Sequence, residues 1–257
     1  MRLVNTAVVG SAGAVWLRPT APHPRSASVG PMADHGDMRL SLLRHGQTPS
    51  NVAGLLDTLA PGPGLTPLGH RQAAAVPTAL QEREIDALVV SPLLRTHLTA
   101  APLVDTFERE AVIMEGVREV EAGSLEMGAD PAAHRTYVDT VFAWARGDVD
   151  LRMPGGSDGR AFFDRYDEAV RRIAEQGWED VVVVSHGAAI RSWACARVSG
   201  VDVASVARSP LANTGMVEIE GDPDSGWRLL GWSSGPVGGA HLLNQDGSDP
   251  TGEAVSA

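Results

Sequence analysis

Two hydrophobic periods alternate along the chain. "RLSLL", Arg39–Leu43, reads as a strand entering the core. "DALVVS", Asp86–Ser91, is short and β-branched. Val181–Val184 is apolar at every position, as suits a central parallel strand buried on both faces. Between these runs the spacing becomes helical. "TPLGHRQAAAVPTALQERE" opens with Thr66 as N-cap and Pro67 at the first helical position. "SPLLRTHLTAAPLVDTFE" repeats the device, with Ser91 as cap and Pro92 in the first turn. "AVIM" is a short strand candidate, and a helical region follows around Ala132–Trp144. "SDGRAFFDRYDEAVRRIAEQG" is amphipathic, with Ser157 or Asp158 near its cap, and stops at Gly177. The valine strand leads into a helix ending near Gly200, and "NTGMVEIEG" with "GWRLLGWSS" forms a terminal hairpin. Strands spaced by helices predict an α/β fold, a three-layer α/β/α sandwich with a mostly parallel central sheet.

The ends of the chain lack this periodicity. "MRLVNTAVVGSAGAVWL" has the basic start and mildly apolar stretch of a secretory signal, but Asn5, Thr6, Gly10, Ser11 and Gly13 dilute it. Residues 1–37 are read as a disordered extension, or the natural start is Met32 or Met38. From Pro236 the sequence is Gly-rich, acidic and aperiodic, so 236–257 is read as a disordered tail, leaving 38–235 as the folded domain.

Charge and cysteine content narrow the function classes. The formal net charge is −11, all 21 cations are arginines, and no basic block suits a nucleic acid. No apolar run approaches a bilayer span. Cys195 is the single cysteine, so no intrachain disulfide or cysteine metal cluster can form, and a reducing cytoplasm is the expected compartment.

Two strand ends resemble each other: Leu42-Leu43-Arg44-His45-Gly46 and Val183-Val184-Ser185-His186-Gly187. Open α/β sheets gather ligands at the carboxyl ends of their strands, so both histidines are expected on one edge. A third strand delivers Arg95 one helical turn beyond Ser91, and "REVEAG" offers Glu119 and Glu121. His70, His97 and His134 fall on predicted helices, in packing or solvent-facing roles; Cys195 reads as a small buried hydrophobe, and Asn213-Thr214 as structural. Ser185 lies outside a G-x-S-x-G elbow, which removes a serine hydrolase.

"LLRHGQTPSN", "GPGLTPLGHRQA", "VVSPLLRTHLTA", "REVEAG", "PGGSD" and "VVVVSHGAAIR" occur in family order, and on them the chain resembles the histidine phosphatase superfamily, phosphatase branch. The resemblance spans roughly 38–235 and implies a phosphoglycerate mutase-like fold. It implies a covalent phosphohistidine on His45, with Arg44, Arg95 and Asn51 around the phosphate, His186 as a further donor and Glu119 as proton donor. Glu121, two residues on, stays open as an alternative to Glu119. Charge neutralisation by arginines asks for no metal and no cofactor. Gln47 stands where relatives carry Glu, and "SLEMG" replaces an aromatic-acid-glycine stretch. The implied activity is hydrolysis of a small phosphomonoester. A cofactor-dependent phosphoglycerate mutase and a non-catalytic phospho-ligand binder are the alternatives. The mutase is disfavoured because the region between Gly123 and Pro154 is short and mixes its arginines with acids. Leu55, Leu56 and Leu59 are expected near the entrance, suiting a partly apolar or uncharged leaving group.

Overall fold

A computed structural model of the chain describes residues 37–208, 211–244, 249 and 251. The readings made on residues 1–36 and on most of 245–257 lie outside the described residues. The elements run β1 (Met38–Arg44), α1 (Pro49–Ala53), α2 (Pro67–Leu80), β2 (Ala87–Val90), α3 (Leu94–Phe107), β3 (Ala111–Ile113), α4 (Pro131–Ala145) and α5 (Gly159–Ala174). They continue with β4 (Asp180–Ser185), α6 (Gly187–Arg197), β5 (Val198–Ser199), α7 (Val203–Arg208), β6 (Met216–Asp222) and β7 (Gly226–Ser233). The seven strands form one sheet in the order β3-β2-β4-β1-β6-β7-β5. Strands β1 to β4 pair in parallel, and the hairpin β6–β7 joins antiparallel to β1. The result is the three-layer sandwich with a largely parallel centre that the strand and helix periods predict.

Alternation along the strands builds the layers. Leu40 and Leu42 of β1, Val89 of β2 and Val181 and Val183 of β4 face α4, α5 and α6. Leu43, Leu88, Val90, Val182 and Val184 face α2 and α3 on the other side. Each valine of β4 is fully buried, and such burial contributes about 1.5–3 kcal/mol per side chain. Helix α5 turns Phe162, Phe163, Tyr166, Ala169, Val170 and Ile173 into the core at helical spacing. Asp158 caps it by accepting from the Ala161 N–H at 3.1 Å, and Gly177 beyond its end takes a left-handed φ of 71°.

Three expectations are corrected. Ser91 does not cap α3, which begins at Leu94 with no side-chain cap; its hydroxyl accepts from Leu93 N–H at 3.3 Å and meets His186 Nε2 at 2.7 Å. The helix after β4 stops at Arg197, because Val198 and Ser199 leave it to pair with β7. The stretch after Pro236 is not featureless over 236–244. Val237 N–H donates to Thr214 O, Leu242 is buried, and its carbonyl accepts from Gln72 Nε2 at 2.9 Å. Low periodicity hid a segment that packs through single contacts. Among the described residues no helix is long and apolar enough to cross a membrane.

Candidate active site

The carboxyl ends of β1 and β4 lie side by side, with Arg44 in register with Ser185. His45 N–H donates to Ser185 O at 3.1 Å, so the two R/S-H-G turns leave the sheet together. Gly46 and Gly69 are demanded by close approach: a Cβ on Gly69 would stand 2.1 Å from Gln47 O, and one on Gly46 2.7 Å from Gly69 O. The amino end of α2 therefore presses against the turn. Thr99 Oγ1 accepts from Gly46 N–H at 2.9 Å, and Gln72 Oε1 from Gln47 N–H at 2.8 Å, which fixes the loop. Gln47 itself accepts from Thr66 Oγ1 at 2.6 Å.

His45 is 3% exposed. Its Nδ1–H donates to Gly46 O at 2.8 Å, leaving Nε2 as the nitrogen with a lone pair. Burial, then Arg95 and Arg44, hold its pKa well below the usual histidine value, against the Gly46 hydrogen bond. The ring of His186 stands 5.2 Å away at 60°. Both of its nitrogens are engaged: Nδ1 accepts from Arg95 Nε at 3.3 Å, and Nε2 lies 2.7 Å from Ser91 Oγ. Burial and Arg95 likewise push its pKa well down.

Arg44 and Arg95 are buried. Arg44 donates through Nη1 to Leu211 O at 2.7 Å and through Nη2 to Asp249 and Thr251, while its Nε has no partner among the described residues. Arg95 Nη2 donates to Asp57 O at 3.0 Å, and its Nη1 has no partner among the described residues. Asn51 belongs to a capping box: Thr48 Oγ1 accepts from Asn51 N–H at 3.1 Å, and Asn51 Oδ1 accepts from Thr48 N–H at 2.9 Å. That turns the amide toward the site.

The two glutamates of "REVEAG" part company. Glu121 pairs with Arg118 at 2.6 Å and stays half-exposed. Glu119 is buried, and its carboxyl accepts from Val120 N–H at 2.8 Å and from Ala188 and Ala189 N–H at 3.3 and 2.9 Å, at the start of α6. Burial raises its pKa above the ordinary carboxyl value, against those hydrogen bonds and Arg95. A cavity of about 10 Å³ joins His45, Arg95, Asn51, Glu119, Leu55 and Asp57. Of the six expected residues, His45, Asn51, Arg95 and Glu119 line it; His186 lies behind it against His45 and Arg95, and Arg44 meets Asn51 through Asp249. Leu55 lines the cavity, Leu56 is buried in the core and Leu59 is exposed.

Several supporting residues carry no sequence signal. Arg165 on α5 donates to the carbonyls of Gly116, Arg118 and Glu119 at 2.7, 2.9 and 2.7 Å, holding the Glu119 segment. Asn213 Nδ2 donates to His45 O and to Asn51 Oδ1 at 3.1 and 3.2 Å, so its structural reading understates it. Glu126 of "SLEMG" accepts from Thr58 N–H at 2.8 Å and ties the entrance loop down. Among the described residues no group of three or more His, Cys, Asp or Glu is placed to hold a metal.

Two buried arginines beside a histidine with a lone-pair nitrogen, at the carboxyl edge of a parallel sheet, define an α/β protein with an anion-handling site. The family follows from comparison: the sequence model of the histidine phosphatase superfamily (branch 1) matches residues 40–235, and the chain belongs to that superfamily. It is 34% identical over 220 residues to the PE-PGRS family protein PE_PGRS11 of Mycobacterium tuberculosis, covering 79% of this chain but only 38% of that protein. It is 31% identical over 151 residues to the adenosylcobalamin/alpha-ribazole phosphatase of Escherichia coli, covering 58% of this chain and 73% of the relative. The structure of a mycobacterial glucosyl-3-phosphoglycerate phosphatase superposes with a TM-score of 0.64 at 26% identity, covering 77% of this chain and 99% of that one.

Proposed function

We propose that the chain hydrolyses a small phosphomonoester through a phosphohistidine on His45. The observation that carries this reading is the tautomer of His45: with Nδ1–H spent on Gly46 O, Nε2 is the nucleophilic nitrogen, and burial keeps it neutral. The phosphoryl group enters between Arg44, Arg95 and the Asn51 amide, whose donors neutralise its equatorial oxygens. His45 Nε2 forms the N–P bond as the P–O bond to the leaving group breaks. Glu119, whose pKa burial raises above the ordinary carboxyl value, gives its proton to the leaving oxygen. The resulting carboxylate then takes a proton from water, whose oxygen attacks phosphorus and breaks the N–P bond. Phosphate leaves, and His45 is regenerated.

His186 plays a supporting part. Its Nδ1 accepts from Arg95. When Arg95 turns to a phosphoryl dianion, that nitrogen is released, and the adjacent negative charge favours its protonation to a donor.

The leaving-group side favours hydrolysis over the mutase alternative. It presents Leu55, Ser50 and Asp57, and Arg95 is the cation among the cavity residues. A mutase needs further positive charge for a carboxylate and a second phosphate, whereas Leu55 and Asp57 suit a neutral or hydroxyl-bearing leaving group. The test is p-nitrophenyl phosphate turnover with EDTA present, for wild type beside His45→Ala, with acid quenching to trap a phosphoenzyme. EDTA-resistant turnover and an acid-labile phosphoenzyme, both lost in the variant, are expected. Turnover surviving in His45→Ala overturns the mechanism.

A further inference from the structure

The phosphate site already holds an anion supplied by the chain itself. Asp249 Oδ2 accepts from Arg44 Nη2 at 2.5 Å, and its Oδ1 accepts from Asn51 Nδ2 at 3.2 Å. Thr251 Oγ1 accepts from the same Arg44 nitrogen at 3.0 Å. The Thr251 backbone is seated just as closely. A Cβ on Gly187 would stand 2.5 Å from Thr251 O, which also accepts from Arg191 Nη1 at 3.4 Å. Thr251 forms one wall of the cavity over His45 and Glu119. That cavity measures about 10 Å³, on the order of room for a single water. A phosphoryl group with its terminal oxygens does not fit while Thr251 stays where it is, and Asp249 occupies the Arg44 and Asn51 donors that such a group would take.

Physics explains why a carboxylate settles there. Arg44 is fully buried, and a buried cation without a partner is strongly unfavourable. Leu211 O satisfies one face of the guanidinium but brings no charge. Asp249 brings the charge, and its two oxygens meet the donors that two phosphoryl oxygens would take.

We propose that Asp249 is a self-ligand of the phosphate site, an autoinhibitory carboxylate that the substrate's phosphoryl group must displace from Arg44 and Asn51. The inference rests on the reading of those two residues as phosphate ligands. It makes Asp249 a filter. Inorganic phosphate, with no other contacts, competes poorly with an intramolecular carboxylate, whereas a substrate whose leaving group also binds competes well. Product inhibition is therefore weakened relative to substrate binding.

The test is calorimetric titration of the full-length protein with inorganic phosphate and with orthovanadate, for wild type, Asp249→Asn and Asp249→Ala, with thermal melts confirming the fold. The two variants differ in whether a neutral acceptor remains, so one can stand in if the other fails to fold. Phosphate Kd is expected to fall about tenfold or more on loss of the charge, and kcat/KM for p-nitrophenyl phosphate to rise through a lower KM. A Kd that is unchanged or raised in the variants, with wild type still binding phosphate, overturns the self-ligand alone and makes Asp249 a structural partner of Arg44. Failure of all three proteins to bind phosphate or vanadate overturns the phosphate-site reading and the self-ligand with it.

Discussion

The carboxyl ends of β1 and β4 are near twins in sequence, each placing His-Gly after a buried strand, yet their histidines are held in opposite ways. His45 spends one nitrogen on its neighbour's carbonyl, and the other has no partner among the described residues. His186 has both nitrogens committed, one to Arg95 and one to Ser91. Burial lowers both pKa values, so both rings are neutral, but a lone pair is available only at His45. The pattern of residues locates the site; the hydrogen-bond partners divide the labour within it.

Replacing each twin in turn is the strongest way to break this comparison. His45→Ala is expected to lower p-nitrophenyl phosphate turnover by at least about 10⁴-fold, since the nucleophile itself is lost. His186→Ala should cost roughly 10²–10³-fold, the scale of one charge-stabilising donor, and should still form an acid-labile phosphoenzyme. If His186→Ala abolished that intermediate while His45→Ala kept it, the roles would be exchanged.

Glu119→Gln comes next, at about 10²–10⁴-fold, and its signature lies in the pH profile. Wild-type kcat/KM rises as His45 loses its proton, and the lowered pKa puts that limb below the ordinary histidine range. It falls again as Glu119 loses its proton, at a pKa raised above the ordinary carboxyl value. Glutamine cannot ionise, so the alkaline limb should vanish at a low, flat rate. An alkaline limb that persists in the variant would assign the proton to another group.

Much of this corner is legible in the chain because strands impose period two and strand ends concentrate chemistry. Arg44-His45-Gly46 follows directly from "RLSLL", and the four valines of β4 mark the neighbouring strand. The choice between Glu119 and Glu121 was not legible. Two residues apart in an extended segment, they are separated only by the amide donors of α6 on one side and by Arg118 on the other. Ser91 looked like a helix cap because Ser-Pro usually is one; a histidine 95 positions away claims its hydroxyl instead. Arg165 sits on an amphipathic helix among other arginines, and Asp249 lies in an acidic aperiodic stretch. Contacts that distant in sequence leave no local trace.

Arg165 sharpens the comparison from the side of the proposed proton donor. Its planar fork spans three carbonyls of the segment that carries Glu119, and burial pushes its own pKa down to about 10. Arg165→Met is expected to lower kcat by roughly ten- to a hundredfold by misplacing the carboxyl group, with KM and phosphate affinity little changed. Arg165→Lys keeps the charge but cannot reproduce the fork, so it should recover only part of kcat. A variant that changed KM alone would place Arg165 in substrate binding instead.

The smallest expected effect isolates what His186 gains from its second partner. With Nδ1 accepting from Arg95, the ring proton sits on Nε2 and is donated to Ser91 Oγ. Ser91→Ala strands that N–H in a site where His186 is fully buried, a loss of about 1–3 kcal/mol. Denaturant melts should show that destabilisation. Turnover should fall only a few-fold, because His45 and the arginines around the phosphate are untouched. A deep loss of turnover with normal stability would mean that Ser91 fixes a tautomer the reaction needs, and that β4's histidine is a full chemical partner of β1's.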